Sequence, residues 1–82
     1  MNEYGWNTYK DKNTNKCIMA CKYSGFNKDN ILAEFARRNV MQDSQFSLLD
    51  LSIGDYVCYK TQGDPYAFPV NKTVFNERYE VV

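Results

Sequence analysis

The stretch from Asp55 to Val70, DYVCYKTQGDPYAFPV, constrains this chain more than any other. Its flanks, YVCYKT and YAFPV, are dense in aromatic and β-branched residues. The Gln62 to Pro65 segment between them carries Gly, Asp and Pro, which favour turns. Two such runs read as a β-hairpin, and hairpin-connected strands commit a chain to an antiparallel sheet. Along the first run Tyr56, Cys58 and Lys60 point one way and Val57, Tyr59 and Thr61 the other. Val57 favours one face as core and Cys58 favours the opposite one, so the residue types leave that choice open. Pro69 cannot donate to a ladder, which places the second run at an edge or an end.

Upstream, KCIMACKY from Lys16 to Tyr23 alternates as a strand, with Cys17, Met19, Cys21 and Tyr23 on one face. Residues four apart on a strand stand about 13 Å apart, too far for Cys17 and Cys21 to share a disulfide or a metal. Ser24 to Asn27 is turn-like, and Asn27 suits the N-cap of a helix over KDNILAEFARRN. There Ile31, Leu32, Phe35 and Ala36 recur at helical spacing, with Val40 just beyond. Asp29 and Arg37–Arg38 complement the helix dipole, and Asn39 is a plausible left-handed stop. The two arginines could also hold a phosphate, though dipole complement and solubility account for them more simply. Residues 45–51, QFSLLDL, read as a further strand with Phe46 and Leu48 inward. Leu49 and Leu51 imply a second covered face or a bulge. Asn71 caps a final short helix through Glu80, with Val74, Phe75 and Tyr79 as its apolar stripe. The polar, Asn-rich residues 1–15 are expected to form an aromatic-bearing arm rather than a regular element. The fold expected is therefore α+β and a single domain, 1–82. It has a small antiparallel sheet of about four strands, one main helix packed on a face and a short C-terminal helix.

An 82-residue chain buries a modest share of its surface and gains from reinforcement. Three cysteines, an odd number with no apolar leader ahead of them, speak against a disulfide framework and suit a reducing cytoplasm. Self-association is the support left, as a homo-oligomer. No apolar run is long enough to span a bilayer, so no membrane partner is expected. Formal charge is zero, ten basic against ten acidic residues. Five lysines face two acids over residues 1–28 (+3), and five cations face eight acids from residue 29 onward (−3). Gripping DNA or RNA through phosphates needs a larger basic excess, whereas a small anion needs two or three cations.

Histidine is absent, and no nucleophile elbow or phosphate-binding glycine loop occurs, so neither an enzyme nor a bound cofactor or metal is expected. Carboxylate pairs such as Asp50 with Asp55, or Asp55 with Asp64, sit beside turns and read as turn-formers. Thirteen aromatics, seven of them tyrosine, exceed what a small core requires. Such a surplus marks a protein interface or a stacking surface for bases.

The C-terminal half, Ile53-Gly54-Asp55-Tyr56-Val57, then Gly63, then FPVNKTVFNERYE from Phe68 to Glu80, resembles a widespread group of small phage-encoded proteins. These end in a GDYI…G…YPCKPxxFxxTYE pattern. Tyr23-Ser24-Gly25 followed by NKDNILAEF is similar to that group's first turn and helix. The likeness runs from Cys17 to Glu80. It departs at Asn71 and Lys72, which stand where Lys-Pro is usual, and in two extra residues before Pro69.

The resemblance implies a phage protein acting in the host bacterial cytoplasm. By analogy with other small accessory phage proteins, not by a motif match, the expected activity is that of a counter-defence sponge that binds and sequesters an immune cyclic nucleotide, as made by CBASS or Thoeris systems, without cleaving it. A cyclic dinucleotide or related signalling nucleotide would need cations and stacking surfaces, supplied at an interface between copies in a dimer or tetramer. The residues expected to supply them are drawn from Trp6, Tyr9, Lys10, Lys22, Arg37, Arg38, Tyr59, Lys60 and Thr61. The alternative is a protein-binding inhibitor of a host enzyme, or an accessory phage structural protein. Its contact surface would be the arm or the sheet edge at Tyr66 to Val70.

Overall fold

The computed structural model describes residues 5–42, 51–63 and 65–82. The chain runs β1 (Asn7–Asp11), β2 (Cys17–Lys22), α1 (Lys28–Arg38), β3 (Met41–Gln42), β4 (Tyr56–Lys60), β5 (Tyr66–Val70), α2 (Lys72–Arg78) and β6 (Tyr79–Val81). Among the described residues the six strands form one sheet ordered β3-β5-β4-β2-β1-β6. All pairings are antiparallel except β3 with β5. The α+β class thus stands, but the sheet is larger than four strands and is mixed.

The largest correction falls on residues 1–15. Asn7–Asp11 is an interior strand, paired with β2 on one side and β6 on the other. Of the asparagines that read as irregular, Asn7 opens β1, and Asn13 and Asn15 lie in the connecting turn. The Asp11 carboxylate accepts from the backbone N–H of Asn13 (2.8 Å) and Thr14 (3.4 Å), and Asn15 adopts a left-handed φ of 62°. Short polar side chains tolerate that conformation and bond their own backbone, which is why the turn closes without glycine. A second correction concerns the C-terminal helix, expected to reach Glu80. It stops at Arg78, and Tyr79–Val81 pairs with β1 as an edge strand.

Each helix covers one face of the sheet. On the first face, Ile31 and Phe35 of α1 pack against Trp6, Cys21, Val57, Tyr59 and Ala67. On the second, Phe75 of α2 packs with Ile18, Ala20, Cys58 and Tyr79, against half-buried Tyr9, Tyr56 and Phe68. The open question at β4 therefore resolves as both faces, and Val57 and Cys58 are each fully buried. A strand covered on both sides has no solvent face to fill with polar residues, which explains YVCYK. Two cores also absorb most of the aromatic surplus. Of the described aromatics, Phe26 and Tyr66 are exposed.

Caps and turns follow the sequence in part. Asn39 closes α1 in the left-handed region (φ 54°), and the Asn71 side chain accepts from Thr73 N–H at 2.8 Å. Asn27 sits at the N-cap of α1 but makes no side-chain cap bond. Its amide instead donates to Lys22 O (2.9 Å) and accepts from Ser24 N–H (3.0 Å), tying β2 to α1. β3 reaches Tyr66 and Ala67, so among the described residues Pro69 faces no strand on its outer side, as its missing donor requires. The strand expected over 45–51 lies, but for Leu51, outside the described residues, as do Asp50 and Asp64 of the carboxylate pairs.

Candidate ligand-binding cleft

The end of the sheet where β4 finishes and β2 begins carries a cleft of about 500 Å³ on the α2 face. Ile18, Phe68 and Tyr79 give it an apolar floor. Lys16 comes from the β1–β2 turn, Lys60 from the last position of β4, and Arg78 from the last turn of α2. Local folding places each of them. The Asp11 turn folds the chain back so that Asp11 N–H donates to Lys16 O (2.9 Å), which holds Lys16 beside the strand end. Ile18 pairs with Lys60 in register, so both face the cleft.

Arg78 is not a loose cation. Its Nε donates to Asp11 Oδ2 at 2.8 Å, and its guanidinium stands 5.5 Å from the centre of the Tyr79 ring. The Asn13 backbone N–H, then Arg78, hold the Asp11 carboxyl below the usual carboxylate range. Asp11 and Arg78 thus roughly cancel in charge. Lys16 and Lys60 form no ion pair among the described residues and give the cleft its positive excess. Cys17 and Gln62 complete its polar edge. A volume of this size, apolar below and cationic at the rim, fits a small aromatic ligand carrying an anionic group.

A second cleft of about 400 Å³ opens on the α1 face of the same strand end, lined by Met19, Arg38, Tyr59, Lys60, Thr61, Gly63 and Pro65. Behind it lies a charged network. Glu34 of α1 is 2% exposed, accepts from the Tyr59 hydroxyl at 2.6 Å through Oε2, and pairs with Arg37 through Oε1. Burial would push the Glu34 carboxyl up, but the Tyr59 hydrogen bond and then the two arginines bring it below its ordinary value. Burial first, then the Glu34 carboxylate, push the Tyr59 hydroxyl up, so it stays a donor.

Of the residues expected from sequence, Arg38, Tyr59, Lys60 and Thr61 meet at this second cleft, and Lys60 alone also lines the first. The others are elsewhere. Trp6, expected as a stacking surface, is 1% exposed and wedged between Phe35 and Tyr59 at 6.3 and 5.3 Å, which leaves no ring face for a ligand. Tyr9 lies half-buried in the second core, edge-on to Phe75 at 4.8 Å. Lys10 bridges Glu80 at 3.3 Å. Lys22 sits at the far end of β2, opposite Tyr56. Arg37 is engaged with Glu34. Sequence reasoning missed Lys16, Ile18, Phe68, Arg78 and Tyr79. The signal that could have found Lys16 is Asp11-Lys12-Asn13-Thr14-Asn15 read as a hairpin turn, which puts it at the sheet end.

Among the described residues no cluster of side chains could hold a metal ion, and no helix is long and apolar enough to cross a membrane. No protein-family model matches the chain, and neither the curated proteins nor the solved structures gave a match.

Proposed function

We propose that this is a phage counter-defence protein of the host cytoplasm. It binds and sequesters an immune cyclic nucleotide, a cyclic dinucleotide or a relative, without cleaving it, and works as a homo-oligomer. The observation that carries this reading is the larger cleft, where Arg78 and two lysines that form no ion pair among the described residues rim the floor formed by Ile18, Phe68 and Tyr79. A nucleotide joins an aromatic base to a phosphate, and that pairing of surfaces meets both. Sequestration rather than turnover is supported by the use made of Asp11, whose carboxylate is spent on its own turn and on Arg78. The chain also lacks histidine to activate a water. The cleft is partly open in the single chain, which leaves room for the proposed homo-oligomer to bring a second copy to its mouth.

The test is a thermal-shift panel of cyclic di- and trinucleotides on purified protein, followed by heat release and analysis of the ligand. A ligand at a hundred times its Kd adds about 2.7 kcal/mol, which for a domain of this size raises Tm by about 10–20 °C. The ligand should return intact. No stabilisation by any nucleotide, with a monomer in light scattering, would sink the proposal, and hydrolysed ligand would replace it with an enzyme.

One observation favours the alternative, a protein-binding inhibitor or accessory structural protein. Phe26 is 96% exposed on the turn tied by Asn27, and Ile53, 71% exposed, lies against the same turn at Gly25. A rigid turn displaying an aromatic side chain suits insertion into a partner's pocket. This contact surface differs from the arm and sheet edge expected from sequence. Phe26→Ser would abolish inhibition of a host target on this reading and leave nucleotide binding untouched on the first.

A further inference from the structure

The two clefts are not independent. They lie on opposite faces of the sheet at the same end of β4, and Lys60 lines both. Between them runs the short connection Thr61–Gly63. The Thr61 hydroxyl donates to Cys17 O at 3.1 Å, which fixes the end of β4 to the start of β2. Among the described residues no atom beyond its chain neighbours lies within 4 Å of where a Gly63 side chain would begin (φ 80°).

Each cleft has its own cation besides Lys60. The first has Lys16, which has no ion pair among the described residues, and Arg78. The second has Arg38, and the Glu34 network does not need it. Tyr59 and Arg37 already satisfy the two Glu34 oxygens, and Arg38 Nε stands 3.8 Å from Oε2, beyond hydrogen-bond distance. The Arg38 side chain is 60% exposed and can turn from Glu34 to an anion in the cleft at little cost.

We infer that the sheet end is one composite site for a ligand with two separated anionic groups. One is held by Lys16 in the first cleft, the other by Arg38 in the second, with Lys60 between them. This inference rests on the nucleotide-binding reading and deepens it. It assigns the ligand class as one with two phosphates, and gives Arg38 a binding role on the face away from the aromatic floor. Two tethered contacts bind far more tightly than either alone, because the second forms at high effective concentration.

The experiment is calorimetric titration with cyclic di-AMP and cyclic di-GMP, which carry two phosphates, and with 3′,5′-cyclic AMP and cyclic GMP, which carry one. Wild type is compared with Lys16→Gln, Arg38→Gln and Lys60→Gln, each first checked for an unchanged unfolding midpoint. Arg38→Gln should weaken a two-phosphate ligand at least tenfold and leave the one-phosphate ligand of the same base within twofold. Lys16→Gln and Lys60→Gln should weaken both kinds. If Lys16→Gln weakens the two-phosphate ligand and Arg38→Gln does not, a single cleft binds and the composite site falls, while the proposed function stands. If wild type binds neither kind of nucleotide, both fall together.

Discussion

Replacing Phe75 with alanine tests how the C-terminal segment is held. Phe75 is the buried residue of α2, and its ring is stacked 3.8 Å from Tyr56, with Tyr9 at 4.8 Å and Tyr79 at 5.0 Å. A seven-residue helix has too little intrinsic stability to persist alone, so this one contact set anchors it. Removing a buried aromatic side chain costs about 3–5 kcal/mol. The upper half of that range is expected, because three ring pairs are lost and each is worth about 0.5–1.5 kcal/mol beyond burial. An 82-residue domain has about 4–12 kcal/mol in total, so the variant should lie near its unfolding threshold. Urea titration followed by tyrosine fluorescence gives the loss, and hydrogen exchange shows where it falls. Amides of β1, β6 and α2 should exchange together, because β6 follows directly from α2 and among the described residues pairs only with β1. The first cleft should be lost in step, since Arg78 and Tyr79 belong to this segment. A loss below about 1 kcal/mol, or exchange confined to α2 with β6 protected, would refute the argument that Phe75 holds the second face.

Three further outcomes follow from particular contacts. Glu34 and Asp11 both sit below their ordinary pKa values when folded, so the unfolded chain takes up protons first as pH falls. The stability they add is present above about pH 5 and is lost as pH drops through the folded values. Tyr59→Phe removes a hydrogen bond to a charged group, worth about 1.5–3 kcal/mol at neutral pH, and should move the acid-unfolding midpoint upward; an unchanged midpoint would show that the bond does not hold Glu34 ionised. Gly25→Ala should cost more than Gly63→Ala in denaturant titrations. Both positions have positive φ, a strain of about 1–2 kcal/mol, but among the described residues only at Gly25 does the new methyl meet a neighbour, Ile53 Cδ1 at 3.3 Å. In thiol titration of the native protein Cys17 should react alone. Cys21, whose thiol burial pushes up to about 11, and Cys58, also pushed up by burial, should react only on unfolding; two fast thiols would mean that a helix does not cover its face.

The sequence by itself determined the elements whose signal is local. Alternation in KCIMACKY and YVCYK, the helical spacing of Ile31 and Phe35, the left-handed stop at Asn39 and the cap at Asn71 are carried by neighbouring residues, and each appears where expected. Elements defined by distant partners were not legible. β1 is a strand because β2 and β6 flank it. Met41–Gln42 is too short to show a period. Tyr79 fits a helical stripe after Phe75 as well as it fits a strand, until Asp11 lies opposite to pair with it. Tertiary structure alone also decided the site. Helix α1 covers Trp6 on one face and α2 folds back over the other to cover Tyr9, which leaves Lys16, Lys60 and Arg38 at the sheet end. Periodicity can tell which side chains share a face, but whether that face becomes core or cleft depends on what another segment brings to cover it.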